Sequence, residues 1–92
     1  MSYVPSHSEI PWGPPPKLYR VGEIVRHTGF SRQTIHNYTT MGLLTESRRT
    51  MGGHRLYDEV VFFRLDLIAQ LKRQRKTMRE IRGHFAALDG GA

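Results

Sequence analysis

VGEIVRHTGFSRQTIHNYTTM, residues 21–41, is the stretch on which the reading of this fold turns. Val21, Ile24 and Val25 recur at i, i+3 and i+4 and set one apolar stripe on a helix. Gly29 stands where a chain leaving a helix needs a left-handed residue. Phe30 then plugs the gap between helices, and Ser31 is a good N-cap for a second helix. On that second helix Ile35 and Tyr38 share the inner face, while Arg32, Gln33, His36, Asn37 and Thr40 point the other way. Every outward group donates or accepts hydrogen bonds and none is acidic, which is the chemistry that reads base edges and grips phosphates.

Working outward, the C-terminal side continues the pattern. Gly42, Leu43 and Leu44 stop the helix and return the chain to the core. The segment TESRRTMGGHRLY, residues 45–57, carries Gly52 and Gly53 between two stretches able to form strands, a hairpin signal. Arg48, Arg49, His54 and Arg55 sit on its tip and flanks, so a basic hairpin directly follows the helix pair. Such a hairpin reads as a wing that lies along a nucleic-acid backbone or enters the minor groove.

Asp58 caps a third helix expected from Glu59 to about Gln74, with Glu59 favourably placed in its first turn. Val61, Leu65 and Ile68 form its core stripe, and Phe63, Leu67 and Leu71 an adjacent one. So broad an apolar surface calls for further burial, under a fourth helix or against a second subunit. Lys72, Arg73, Arg75 and Lys76 close the helix as a second basic patch. Thr77-Met78-Arg79-Glu80 is a capping box, and Ile81, Phe85 and Leu88 mark the apolar face of the helix it starts. On the N-terminal side, Tyr19 is expected as a short strand or extended lead-in.

The 92 residues suit one small domain. Fourteen Lys plus Arg against eight Asp plus Glu give a formal charge of +6, which favours polyanions. Eleven of those cations are Arg, whose planar fork suits bidentate contacts to phosphate or guanine. The absence of cysteine excludes disulfides, thiolate metal sites and thiol redox sensing. His7, His27, His36, His54 and His84 show neither paired spacing nor carboxylate neighbours, so no metal site or cofactor is expected. Ser31 and Ser47 lack a recognisable base and orienting acid, and no catalysis is read. With no signal peptide or spanning run, the expected location is the cytoplasm, on the nucleoid.

The order helix, turn, helix, basic hairpin, long helix, capped short helix is mainly α: a winged helix-turn-helix of about four helices plus a small β-hairpin wing. It resembles the DNA-binding domain of the MerR family over about three quarters of the chain, from Tyr19 to about Phe85. The resemblance rests on YRVGEI (19–24), TGFS (28–31), TIHNYTTMGLL (34–44), GGHRLYD (52–58) and TMREI (77–81) taken together. It implies a sequence-specific DNA-binding transcriptional regulator with its second helix in the major groove and its wing on the backbone. Arg32, Gln33, His36 and Asn37 are then expected at base edges, and Ser31, Thr34 and Tyr38 at phosphates. Arg48, Arg49, His54 and Arg55 would clamp the backbone from the wing. The chain departs from the family at His36 and Asn37, usually Arg then Tyr, at Thr39, usually acidic, and at His54, usually aromatic. These changes bear on base preference rather than docking.

The expected organisation is a proline-rich disordered tail over 1–16, the winged domain over 17–88 and a flexible end over 89–92. Family members commonly continue into a dimerisation helix and an effector domain, so the chain reads as an effector-less, single-domain member. Double-stranded DNA is the expected partner and a membrane is not. Self-association as a dimer or head-to-tail array, and a protein bound through the tail around Trp12, stay open. Two other functions stay open as well: an excisionase-like architectural DNA-binding factor, and a protein-interaction module.

Overall fold

A computed structural model describes residues 17–90. The expected tail over 1–16, and 91–92 of the expected flexible end, lie outside the described residues. The elements run β1 (Tyr19–Arg20), α1 (Val21–Thr28), α2 (Arg32–Thr40), β2 (Arg48–Arg49), β3 (Arg55–Tyr57), α3 (Val60–Arg73) and α4 (Met78–Leu88). The winged helix-turn-helix read from the residues is the observed architecture.

Local chemistry sets the helix ends. Gly29 has φ of 80° and its N–H donates to the Val25 carbonyl at 2.9 Å, a left-handed stop that glycine adopts without a Cβ clash. Two residues on, Ser31 Oγ accepts from Thr34 N at 3.1 Å and starts α2. α1 begins without a Ser or Thr, and Glu23 supplies the cap from inside the helix: its Oε1 accepts from Arg20 N at 3.0 Å. The reciprocal half of a capping box is absent there, since a guanidinium only donates. α4 has both halves, Glu80 N to Thr77 Oγ1 at 3.1 Å and Thr77 N to Glu80 Oε1 at 3.0 Å. Asp58 Oδ1 accepts from Val60 N at 3.0 Å and so caps α3 from two residues ahead.

The three short strands form one antiparallel sheet in the order β1-β3-β2. Tyr19 therefore does more than lead into α1: it pairs with Tyr57 and ties the base of the wing to the start of the helix pair. Tyr57 is fully buried, and its hydroxyl lies 2.7 Å from Thr39 Oγ1. Because Thr39 Oγ1 donates to the Ile35 carbonyl, the Tyr57 hydroxyl is the donor in that pair. Sheet and α2 are thus joined by a hydrogen bond inside the core.

The core draws on every helix: Ile24 from α1, Ile35 and Tyr38 from α2, Val61, Leu65, Ile68 and Leu71 from α3, Ile81 and Phe85 from α4. Leu43 and Leu44 close it from the loop after α2. Of the second apolar stripe on α3, Leu71 is buried and Leu67 half-buried, but Phe63 remains 72% exposed. The domain's own packing therefore covers only part of that surface.

Arg64 binds three segments together. Its Nε donates to the Leu43 carbonyl, its two terminal nitrogens reach Asp89 at 2.8 and 3.0 Å, and its guanidinium lies 4.4 Å from the centre of the Phe85 ring. Asp89, grouped by the sequence reading with the flexible end, is held by this clamp.

Three carboxyls are made more acidic by such contacts. Glu23 is lowered chiefly by the hydrogen bond from Arg20 N, Glu80 by that from Thr77 N, and Asp89 by the Arg64 side chain. Each binds its proton more weakly folded than unfolded. Its contribution is therefore complete above the ordinary carboxylate value and is lost as the pH falls through the lowered one. The thermal unfolding midpoint should drop as the pH is taken below about 4. In Glu80→Gln the drop should be shallower, because one of the titrating caps is gone.

Candidate nucleic-acid interface

The outer face of α2 carries Arg32, Gln33, His36 and Asn37, all exposed, as the helical period requires once Ile35 and Tyr38 are buried. Ser31 is exposed and Thr34 half-buried; their hydroxyls are bonded to each other at 2.8 Å in the cap. Gln33 Nε2 donates to Asn37 Oδ1 at 2.9 Å, which fixes both amides one turn apart. That bond leaves the Asn37 amide nitrogen and the Gln33 carbonyl oxygen free for a base edge.

Tyr38 does not join this surface. It is 4% exposed, with its hydroxyl enclosed and without a hydrogen-bond partner among the described residues. The expectation that it meets a phosphate is corrected: its place on the inner stripe sends the ring against Phe30, and Lys72 covers it at 5.6 Å. Tyr38→Phe should accordingly leave DNA affinity unchanged. It should leave stability unchanged or raise it by up to about 1 kcal/mol, because it removes a buried unpaired hydroxyl. A urea titration beside a binding isotherm checks both.

The wing stands next to α2 and is linked to it. Arg55 Nη1 lies 3.0 Å from His36 Nδ1. Arginine only donates, so Nδ1 accepts and the imidazole proton sits on Nε2, which makes His36 an outward donor. Arg49 and Arg55 face each other directly across β2 and β3, an unfavourable like-charge pair. Glu46 lies between them, 3.1 Å from Arg49 Nε and 3.3 Å from Arg55 Nε. One carboxylate thus orients two guanidinium groups without cancelling their combined charge. Arg48 and His54 are exposed on the same hairpin.

The second basic patch has no place in the interface read from the sequence, and the fold brings it beside α2. Lys72 over the Tyr38 ring brings the end of α3 beside α2, with Arg73, Arg75 and Lys76 exposed next to it. Arg75 adopts φ of 62°, the one non-glycine in that region among the described residues, at a turn closed by Lys76 N to the Leu71 carbonyl at 3.0 Å. Glycine holds such a position elsewhere in the chain, at Gly29, Gly42 and Gly53. The one signal for the patch was its charge, since its proximity to α2 is a tertiary contact.

Comparison with known proteins agrees with this geometry. The profile described as "MerR HTH family regulatory protein" matches residues 19–88. The nodulation protein NolA of Bradyrhizobium sp. (strain NC92) is 39% identical over 74 residues, spanning 80% of this chain and 30% of that protein. The HTH-type transcriptional regulator CueR of Bacillus subtilis (strain 168) is 36% identical over 66 residues, 72% of this chain and 46% of that one. The chain thus spans less than half the length of these curated relatives. The crystal structure of the N-terminus of MtaN, the Bacillus subtilis multidrug transporter activator, superposes with a TM-score of 0.66 at 32% identity. It covers 71% of this chain and 61% of the other. Profile, relatives and fold agree over the helix pair, wing and capped helix: the chain belongs to the MerR HTH family of regulatory proteins.

Proposed function

We propose that this chain is a sequence-specific DNA-binding module of a transcriptional regulator, with α2 in the major groove and the β2–β3 wing on the adjoining backbone. The observation that carries the reading is the Arg55–His36 contact. It fixes a basic wing against a helix face that presents only donors and acceptors. Gln33, His36 and Asn37 address base edges; Arg48, Arg49, His54 and Arg55 address phosphates, with Ser31 and Thr34 at the helix start. Lys72, Arg73, Arg75 and Lys76 add a further backbone contact from the far side of α2. The strained Arg75 fits that role, because glycine would sit there at lower cost and carry no charge.

The proposed functional domain is residues 17–88, in line with the matched span of 19–88. No helix among the described residues is long and apolar enough to cross a membrane. Double-stranded DNA on the nucleoid is the proposed partner and place, with a second copy of the chain alongside.

Selection from a random duplex pool tests the function. The expected result is enrichment of one motif. Asn37→Ala should then cost about 1–3 kcal/mol at one base pair of that motif and leave the salt dependence unchanged. Recovery of an unenriched pool at moderate salt would sink the proposal.

A further inference from the structure

A cleft of about 370 Å³ opens between the start of α1, the start of α2 and the wing. Arg20, Arg26, Arg32 and Arg55 converge on it, with His54 at the wing side. Glu23 is the acid in its wall, and that carboxylate is already engaged by Arg20 N at 3.0 Å and Lys17 Nζ at 3.6 Å. Arg55 has Glu46. Arg20, Arg26 and Arg32 have no acidic partner within ion-pair distance among the described residues.

Gly22 forms part of the floor, and its lack of a side chain matters there. A methyl group at position 22 would stand 3.1 Å from Nη2 of Arg32. Beyond its own helix and chain neighbours, the guanidinium of Arg32 is all that lies within 4 Å of that point. The Arg32 side chain is therefore folded back across the first turn of α1, toward the wing. Arg20 caps the start of α1, Arg32 opens α2 and Arg26 reaches in from the last turn of α1. Three guanidinium groups without an ion-pair partner among the described residues suit a tetrahedral oxyanion, whereas a base edge needs one fork and little net charge.

We propose that this cleft seats a single phosphate group of the DNA backbone, and that Gly22 keeps it open by leaving room for the Arg32 guanidinium. The proposal deepens the DNA-binding reading and rests on it. It moves Arg32 from base edge to phosphate and adds Arg20 and Arg26 to the interface. Gly22 is a positioning residue that acts through Arg32.

Gly22→Ala is the discriminating variant, because alanine favours a helix and its clash is with the far end of a flexible side chain. The variant should melt at or above the wild-type temperature. It should nevertheless bind duplex DNA roughly tenfold more weakly, with the slope of log K against log salt reduced by about one ion. Arg26→Ala should show the same loss of slope. In the free protein, inorganic phosphate at low salt should shift the amide signals of residues 21–23 in the wild type and not in Gly22→Ala. Unchanged affinity and slope in Gly22→Ala, while Arg49→Ala with Arg55→Ala weakens binding, would overturn the cleft and leave the DNA reading intact. If the wild type ignores duplex DNA yet inorganic phosphate still shifts those amides, the cleft takes a free phosphate and both the DNA source and the DNA reading are wrong. Silence toward both overturns both.

Discussion

Replacing Phe85 by alanine should lower the stability of the domain by roughly 3–5 kcal/mol, the range for deleting a buried aromatic ring. Phe85 is fully buried, and with Ile81 it is the apolar anchor that holds α4 to the rest. The ring also supports Arg64, whose guanidinium lies over it while reaching Leu43 and Asp89. Losing the ring leaves a cavity and removes the surface on which that clamp rests. Small domains are stable by about 5–15 kcal/mol in total, and one of this size should lie toward the lower end. The variant should thus be largely unfolded at modest urea. Phe63→Ala is the control: at 72% exposure it should change stability by less than about 0.5 kcal/mol. Urea unfolding followed by circular dichroism measures both. A Phe85→Ala loss under about 1 kcal/mol would mean that α4 is not packed as described.

The second large effect concerns DNA. Arg49→Ala combined with Arg55→Ala should reduce the slope of log K against log salt by about two ions and weaken binding by roughly tenfold or more per residue. In the free protein Glu46 pairs with exposed Arg49 and with half-buried Arg55, and ion pairs that stay partly open to solvent are weak. Backbone phosphates can therefore draw them away. The two residues should separate in detail. Among the described residues the Arg49 side chain hydrogen-bonds Glu46 alone, so its loss should affect all sequences alike. Arg55 also positions His36, so its loss should in addition relax preference at one base pair. Binding isotherms over a salt series, on the selected motif and on unrelated duplex, distinguish the two. An unchanged slope in the double variant would remove the wing from the interface.

Much of this was legible in the residues because it is local. The Thr77–Glu80 capping box, the Ser31 cap, the Gly29 stop and the Val61, Leu65, Ile68 stripe each depend on groups three or four positions apart, and the structure contains all of them. The hairpin between Arg48 and Tyr57 and the exposed polar face of α2 follow from the same short-range periods. Tyr38 shows the limit of that reasoning. Its helical phase pointed inward while its hydroxyl suggested a phosphate, and packing decided for the core.

What only the tertiary structure decided lies between residues far apart in sequence. The pairing of Tyr19 with Tyr57, the Arg55–His36 link across nineteen positions, Lys72 over Tyr38 and the fold-back of Arg32 onto Gly22 are of this kind. The sequence by itself determined the elements, the order in which they occur and the charge they carry, because propensity, capping and period act within a turn or two of chain. Which cations meet on one surface depended on how those elements pack, and packing is governed by the complementarity of buried faces that no local pattern specifies.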